Sequence, residues 1–243
     1  MVPAHLPMHL ECEMCRTSFP LTHGIPDMLS PMKLHTHEKS GAWQHMLERH
    51  ESWWRYERGH TRAGGEAKAW RPSADMMSKY FQLAEINGGD GRVLDIGCGE
   101  GLRSRHFGNK EYYGVDPLTL KREYTFPFLR GIGESLPFAD DLFDVVISVE
   151  SLDHVINPEA CLKEACRVLR FGGGLFVFVG LTRCQLTGEM IQARDATYDT
   201  TEADVHLHEF KPEDFERVLK EHFNKMVIDL EEGYLAIWCW DLH

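Results

Sequence analysis

Residues 92–107 read RVLDIGCGEGLRSRHF, an apolar run that ends in alternating glycines at Gly97, Gly99 and Gly101. A short run that is apolar but for one acid, Asp95, with no regular polar alternation, suits a strand buried on both faces, and such strands belong to sheets covered by helices. Each glycine costs roughly 0.5–1 kcal/mol of backbone entropy relative to alanine. The turn after this strand therefore needs backbone without side chains.

The rest of the chain follows from that start. Further apolar runs occur at EYYGV, FDVVISV, GLFVFVG, KMVIDL and YLAIWCW, with helical segments at 158–169 and 212–222. The last two runs are joined by EEG alone, too short for a crossover helix, so they pair antiparallel. The pattern predicts an α/β fold whose sheet is mostly parallel and ends in an antiparallel hairpin. Three regions are expected: a Pro-, His- and Cys-rich knuckle over 1–35, helices over 36–90, and the α/β domain over 91–243. In the middle region, Trp43, Met46, Leu47, Trp53 and Trp54 mark one amphipathic helix. Pro72 opens another, carrying Met76, Met77, Tyr80, Phe81 and Leu83. These helices serve as a lid over the site or as packing alone.

Composition narrows the partners. The net charge of −12 disfavours nucleic acid, and the one dense basic run, RSRHFGNK at 103–110, reads as a solvated helix face. The longest apolar stretch, Leu175 to Leu181, is too short to cross a bilayer. No leader pattern opens the chain, and seven scattered cysteines do not make a disulfide framework, so a cytoplasmic location is expected. The expected partner is a small molecule; a homodimer stays open.

Strand, sharp turn and helix start together make a site where a ligand approaches backbone amides. Leu102 stands where a dinucleotide fingerprint needs its third glycine, and no Lys-Ser/Thr follows, so pyrophosphate is not the expected ligand. Asp116 closes YYGVD twenty-one positions after Asp95, where a carboxylate can accept ribose hydroxyls.

With VLDIGCGEG (93–101), YGVDP (113–117), GESLPFADDLFDVVISVESLDHV (133–155) and NPEACLKEACRVLRFGGGLFVFV (157–179), the chain resembles the class I S-adenosylmethionine-dependent methyltransferases over about residues 72–240. The resemblance implies a Rossmann-like sheet of seven strands and S-adenosylmethionine as cofactor. It places Asp95, Gly97, Cys98 and Gly99 at the amino-acid end of that cofactor and Asp116 with Pro117 at the ribose. Gly133 and Glu134 then edge the adenine, and Ser148 to Ser151, Glu150 among them, pass beneath the sulfonium. Many relatives carry Asp at the position of Ile132, and this chain does not.

SLDHV sets Asp153 and His154 just past a strand end, at the rim where ligands sit in open α/β sheets. His154 is the candidate base, because imidazole is matched to neutral pH; a histidine at a helix start is the plain alternative. His206 and His208, in DVHLHEF, line the acceptor pocket, bind a divalent metal with Asp204, or form a structural loop, the last being favoured. LECEMCRTSFPLTHGIPDML (10–29) is similar to the second half of the zinc ribbon of the transfer-RNA-methyltransferase activator family. Cys12 and Cys15 lack a second cysteine pair, His5 and His9 being the nearest substitutes, so a metal-free remnant is expected over a zinc site. The expected activity is methyl transfer to oxygen, or nitrogen, of a small molecule, with sugars and secondary metabolites as the classes the resemblance suggests. The alternatives are transfer to protein or RNA and a non-catalytic cofactor-binding scaffold.

Overall fold

The structure is a computed structural model that describes residues 9–13, 16–29, 47–48, 51–52, 79, 82, 91–108, 110–119, 123–180, 210–231 and 234–243. The central sheet has seven strands: β4 (Arg92–Ile96), β5 (Glu111–Asp116), β6 (Phe128–Arg130), β7 (Phe143–Val149), β8 (Leu169–Gly180), β9 (Phe223–Glu231) and β10 (Tyr234–Leu242). Their order is β6-β5-β4-β7-β8-β10-β9. The first five strands in that order pair parallel, and β10 pairs antiparallel with both β8 and β9. The expected Rossmann-like architecture is therefore present. The hairpin folds back so that β10, the last strand in the chain, lies inside the sheet and β9 forms its edge.

Alternation sorts the buried side chains onto two faces. Leu94, Ile96, Val146, Leu175 and Val177 pack on one face against helices α1 (Pro158–Val168) and α2 (Pro212–Leu219). Val93, Val145, Ile147, Phe176, Phe178 and Trp238 pack on the other, with Phe107 and Tyr112. In α1, Pro158 occupies the first turn and Asn157 caps it, its side chain accepting from the Ala160 amide at 3.1 Å. Cys161, Leu162, Ala165 and Cys166 then fall on the buried face. The helix stops at Val168, one residue before the expected end, because Leu169 is already paired with Phe143 in the sheet.

Two local elements escape the hydrophobic pattern. β6 is three residues long, too short for periodicity to register, and is held by pairing with β5. The helix start expected after the glycine turn is a short 3-10 helix, Leu102–His106. Gly101 opens it at φ +73° and Gly108 follows at φ +36°, so left-handed backbone brackets a segment with no length for α turns.

Near the N-terminus, β1 (His9–Glu11), β2 (Ser18–Thr22) and β3 (Ile25–Pro26) form a small antiparallel sheet. It docks on the edge strand β6. The Met28 amide donates to the Arg130 carbonyl at 2.8 Å, and Arg130 Nη1 donates to Asp27 Oδ2 at 2.8 Å. Ile25 packs with Phe128 and Cys98, and Leu29 packs with Ile132 and Leu47. The knuckle thus covers a sheet edge that would otherwise present unpaired backbone. Asp27→Ala should lower stability of the full chain by about 1–3 kcal/mol, the usual worth of a charged hydrogen bond, this one part-buried. Arg16→Ala, which removes a pair with Glu11 exposed on both sides, should leave the thermal midpoint nearly unchanged. Equal shifts in the two melting curves would contradict the docking role of Asp27.

The described parts of the 36–90 region, residues 47–48, 51–52, 79 and 82, are helical, and Lys79 Nζ reaches Asp229 Oδ2 on β9 at 3.1 Å. The remainder of both expected helices lies outside the described residues. No helix among the described residues is long and apolar enough to cross a membrane.

Candidate cofactor and acceptor site

The chain lays β4, β5 and β6 to one side and then crosses back to lay β7 and β8 on the other. The reversal between β4 and β7 opens a crevice at their carboxyl ends, the place where ligands settle in such sheets. Asp95, Asp116 and Ser148 stand at these ends, and all three are buried.

The turn after β4 explains its glycines from within. Gly97 has φ +73°, and a Cβ there would overlap Ser151 Cβ and lie 2.7 Å from its Oγ. Gly101, also at φ +73°, faces the Phe126 ring. The amides are used up locally. Gly97 and Cys98 donate to the Val115 carbonyl at 2.8 and 3.2 Å, Gly99 donates to Asp116 Oδ2 at 2.9 Å, and Gly101 donates to the Cys98 carbonyl at 2.8 Å. The expectation that these amides wait for a ligand is thus corrected for positions 97, 98, 99 and 101. Bare backbone is needed here so that the turn can fold against Ser151 and Phe126 and brace Asp116.

Buried polar side chains surround this turn. Asp95 is fully buried; Tyr112 Oη donates to its Oδ2, and Arg103 Nη1 lies 3.3 Å from the same oxygen. Its other oxygen, Oδ1, has no hydrogen-bond partner among the described residues. Burial raises the Asp95 pKa, against the pull of Arg103. Asp116 accepts from Gly99 and, through Oδ1, from the Leu118 amide at 2.8 Å. Burial nevertheless lifts its pKa to about 6, because two amides replace only part of the lost hydration.

Arg103, expected on a solvated face, instead lies in the crevice. Nη2 donates to the Val149 carbonyl at 2.6 Å, and Nη1 approaches the carbonyls of Gly97 and Cys98 at 3.5 Å. Its side chain is 15% exposed. The sequence signal was present: a cation eight positions after a strand-end acid, across a turn, can fold back onto it.

The remaining expected residues divide. Ser148 Oγ and Ser151 Oγ are 2.9 Å apart, and Ser151 Oγ donates to the Ile96 carbonyl at 2.8 Å, tying the β7 rim to β4. Glu150 holds a left-handed φ of +52°, a strained position for a side-chain-bearing residue at a strand end. Pro117 presents its carbonyl to Arg130 Nε at 3.1 Å. Cys98 is buried against Gly114, where its side chain packs the turn, and burial raises its thiol pKa. Gly133 is bare because a Cβ would press on Cys161 Sγ and Ile96 Cγ2, which is a packing reason. Glu134 Oε1 accepts from the Ile156 and Asn157 amides at 2.7 and 3.4 Å, which commits that carboxylate oxygen to the entry of α1.

Asp153 and His154 lie on a single 3-10 turn, Leu152–His154, directly after β7. Asp153 is buried, and the His154 side chain is 16% exposed with Nε2 3.7 Å from Asp153 Oδ1. That spacing makes a charge contact and is too long for a hydrogen bond. His206, His208 and Asp204 lie outside the described residues, as do Cys15 and His5. Cys12 is half-buried, and its amide donates to the Thr17 carbonyl at 2.9 Å. Among the described residues no group of three or more His, Cys, Asp or Glu is placed to hold a metal.

Comparison with known proteins agrees with this geometry. Residues 94–177 match the family model described as a methyltransferase domain. The chain is 34% identical over 119 residues to a phthiotriol/phenolphthiotriol dimycocerosates methyltransferase of Mycobacterium ulcerans, covering 43% of each chain. It is 33% identical over 132 residues to a ubiquinone/menaquinone biosynthesis C-methyltransferase of Chromobacterium violaceum, covering 47% of this chain and 50% of that one. The chain thus spans half or less of the length of these curated relatives. Among solved structures it is similar to a SAM-dependent methyltransferase of Thermotoga maritima, with TM-score 0.55 and 21% identity over 82% of this chain and 99% of that one. At that identity the likeness is one of fold.

Proposed function

We propose that the methyltransferase domain matched at residues 94–177 serves an enzyme that moves the methyl group of S-adenosylmethionine to an oxygen, or a nitrogen, of a small molecule. The observation that carries this reading is the unpartnered Asp95 Oδ1. A buried carboxylate oxygen at the strand-order reversal, with no donor among the described residues, fits the ammonium of an amino-acid ligand. Asp116 fits as well: each of its oxygens accepts one amide and keeps a lone pair for a ribose hydroxyl. When bound, the cofactor supplies a methyl group already activated on a sulfonium.

The chain's own work is then alignment and proton removal. Alignment of two reactants is worth roughly 7–11 kcal/mol. Ser151, braced on Ile96 and Ser148, fixes the β7 rim against the glycine turn, which keeps the two walls of the crevice in register. His154, next along that rim, takes the proton from the acceptor hydroxyl or amine, and Asp153 favours the imidazolium so formed. A carbon acceptor beside an ionisable hydroxyl is the second reading, favoured by the relative named as a C-methyltransferase, and it needs the same base. The negative charge of −12 weighs against RNA as acceptor.

The test has two stages. Calorimetry should show S-adenosylmethionine and S-adenosylhomocysteine binding; if neither binds, the reading fails. Labelled methyl donor should then mark the small-molecule fraction of an extract. Label in the protein or RNA fraction would move the assignment to those acceptors, and no label at all would favour a scaffold.

Asp116 adds a pH signature. Its carboxylate must be ionised to grip hydroxyls, so affinity for S-adenosylhomocysteine should hold above about pH 7 and decline as pH falls through about 6. Stability of the unliganded protein moves the other way. The folded state holds this proton more tightly than the unfolded chain, whose aspartate titrates near 3.8. That contribution is therefore full below about pH 4 and is lost as pH rises through about 6. Asp116→Asn should weaken S-adenosylhomocysteine roughly tenfold to hundredfold, the worth of one or two charged hydrogen bonds. It should also remove both pH dependences; an unchanged binding profile would take Asp116 out of the site.

A further inference from the structure

We infer that Arg103 is the carboxylate-binding residue of the site, so that Asp95 and Arg103 together form a receptor for a zwitterionic amino-acid end. The inference rests on the cofactor reading above and adds the residue that decides between ligands with and without a carboxylate.

An amino-acid end brings an ammonium and a carboxylate a few bonds apart, and a crevice that takes it must answer both charges. The ammonium has Asp95 Oδ1. Backbone amides are the usual alternative for the carboxylate, and at positions 97, 98, 99 and 101 the turn's own amides are spent on Val115, Asp116 and Cys98. With those four amides committed, a cation beside Asp95 is the better-placed partner for the carboxylate.

Arg103 is placed for it. Its Nη1 sits 3.3 Å from Asp95 Oδ2, the oxygen opposite the unpartnered one, so the positive and negative halves of the receptor are adjacent and already ordered. Val149 and the turn carbonyls fix the guanidinium through Nη1 and Nη2, while Nε makes no hydrogen bond to any described residue. A guanidinium has five N–H groups, so donors remain for a carboxylate after these contacts are made. The side chain is mostly buried but not sealed, at 15% exposure, which leaves a path for ligand. Arginine suits this role because its fork is planar and stays charged, and burial between Asp95 and Val149 removes the rotamer freedom it would otherwise lose on binding.

The experiment compares ligands that differ in the amino-acid end alone. S-adenosylmethionine and decarboxylated S-adenosylmethionine share the sulfonium, nucleoside and amine, and 5′-methylthioadenosine lacks the amino-acid end altogether. In wild type, calorimetry should show decarboxylated S-adenosylmethionine binding roughly tenfold to hundredfold more weakly than S-adenosylmethionine, as one or two charged hydrogen bonds require. In Arg103→Met the two should bind within about threefold of each other, and 5′-methylthioadenosine should bind as it does to wild type. Arg103→Lys should fall between, keeping the charge and losing the fork.

If wild type does not discriminate between the carboxylated and decarboxylated ligands, Arg103 does not hold a carboxylate. That arm needs no variant, so it decides the matter even if Arg103→Met fails to fold. If Arg103→Met tightens S-adenosylmethionine, the guanidinium obstructs the crevice and the assignment is overturned. Equal weakening of S-adenosylmethionine and its decarboxylated form, with 5′-methylthioadenosine unchanged, would make Arg103 a brace for Asp95 alone. Equal weakening of all three would make it a brace for the crevice as a whole; either result overturns the assignment. Failure of every nucleoside ligand to bind wild type sinks the cofactor reading itself, a separate and recognisable outcome.

Discussion

Gly97→Ala is expected to destabilise the protein by about 3–5 kcal/mol, placing it among the severe single substitutions. Left-handed backbone at φ +73° costs an L-residue roughly 1–2 kcal/mol. The larger part comes from packing. The new Cβ would overlap Ser151, and Ser151 cannot yield without breaking its bonds to the Ile96 carbonyl at 2.8 Å and to Ser148 Oγ at 2.9 Å. Denaturant unfolding of the full chain measures the loss. Gly108→Ala is the matched control, since its φ of +36° is also left-handed but a Cβ there meets nothing within 4 Å. It should cost only the backbone share. Were the two variants equally stable, the packing account of the glycine turn would be wrong. Because the same turn braces Asp116 through the Gly99 amide, any Gly97→Ala protein that folds should bind S-adenosylhomocysteine at least tenfold more weakly.

The second large effect belongs to the reaction. His154→Ala should lower methyl transfer by roughly 10²–10⁴, the range for losing a positioned general base. It should leave S-adenosylhomocysteine affinity within about twofold, since the role assigned to His154 is on the acceptor side. The acidic limb of the pH–rate profile should go with it, and His154→Gln, which keeps polarity without basicity, should behave as the alanine variant does. The labelled acceptor fraction supplies the assay. A rate and profile like those of wild type would remove His154 from the mechanism.

These predictions draw on parts of the chain that were unequally readable. Val93 to Ile96 announce a strand buried on both sides because every residue but Asp95 is apolar, and a buried acid at such an end has few innocent uses. The run Phe143–Val149 reads the same way, again broken by an acid, Asp144. Pro158 after Asn157 marks the start of α1 by local chemistry alone. By contrast, Phe128–Arg130 is too short to show a period and is a strand because β5 lies beside it. Arg103 escapes the pattern for a related reason. In sequence it sits among Arg105, His106 and Lys110 and looks like surface charge, but the turn bends it back onto Asp95 and Val149, forty-six positions away from the latter. Gly133 and Glu134, expected at the adenine edge, also serve the fold: one Glu134 carboxylate oxygen accepts an amide at the entry of α1, and the bare Gly133 backbone makes room for Cys161.

The sequence by itself determined the layered α/β sheet, the antiparallel hairpin at its end and the acids at two strand tips. Those features follow from burial and from connection length, which act along the chain over a few residues. Tertiary structure alone decided that β10 lies inside the sheet, that the N-terminal strands cover the β6 edge, and which polar groups of the glycine turn are spent. The reason is physical: a hydrogen-bond donor has a fixed capacity, and whether an amide of the turn meets Val115, Asp116 or a ligand depends on strands that approach from elsewhere in the chain.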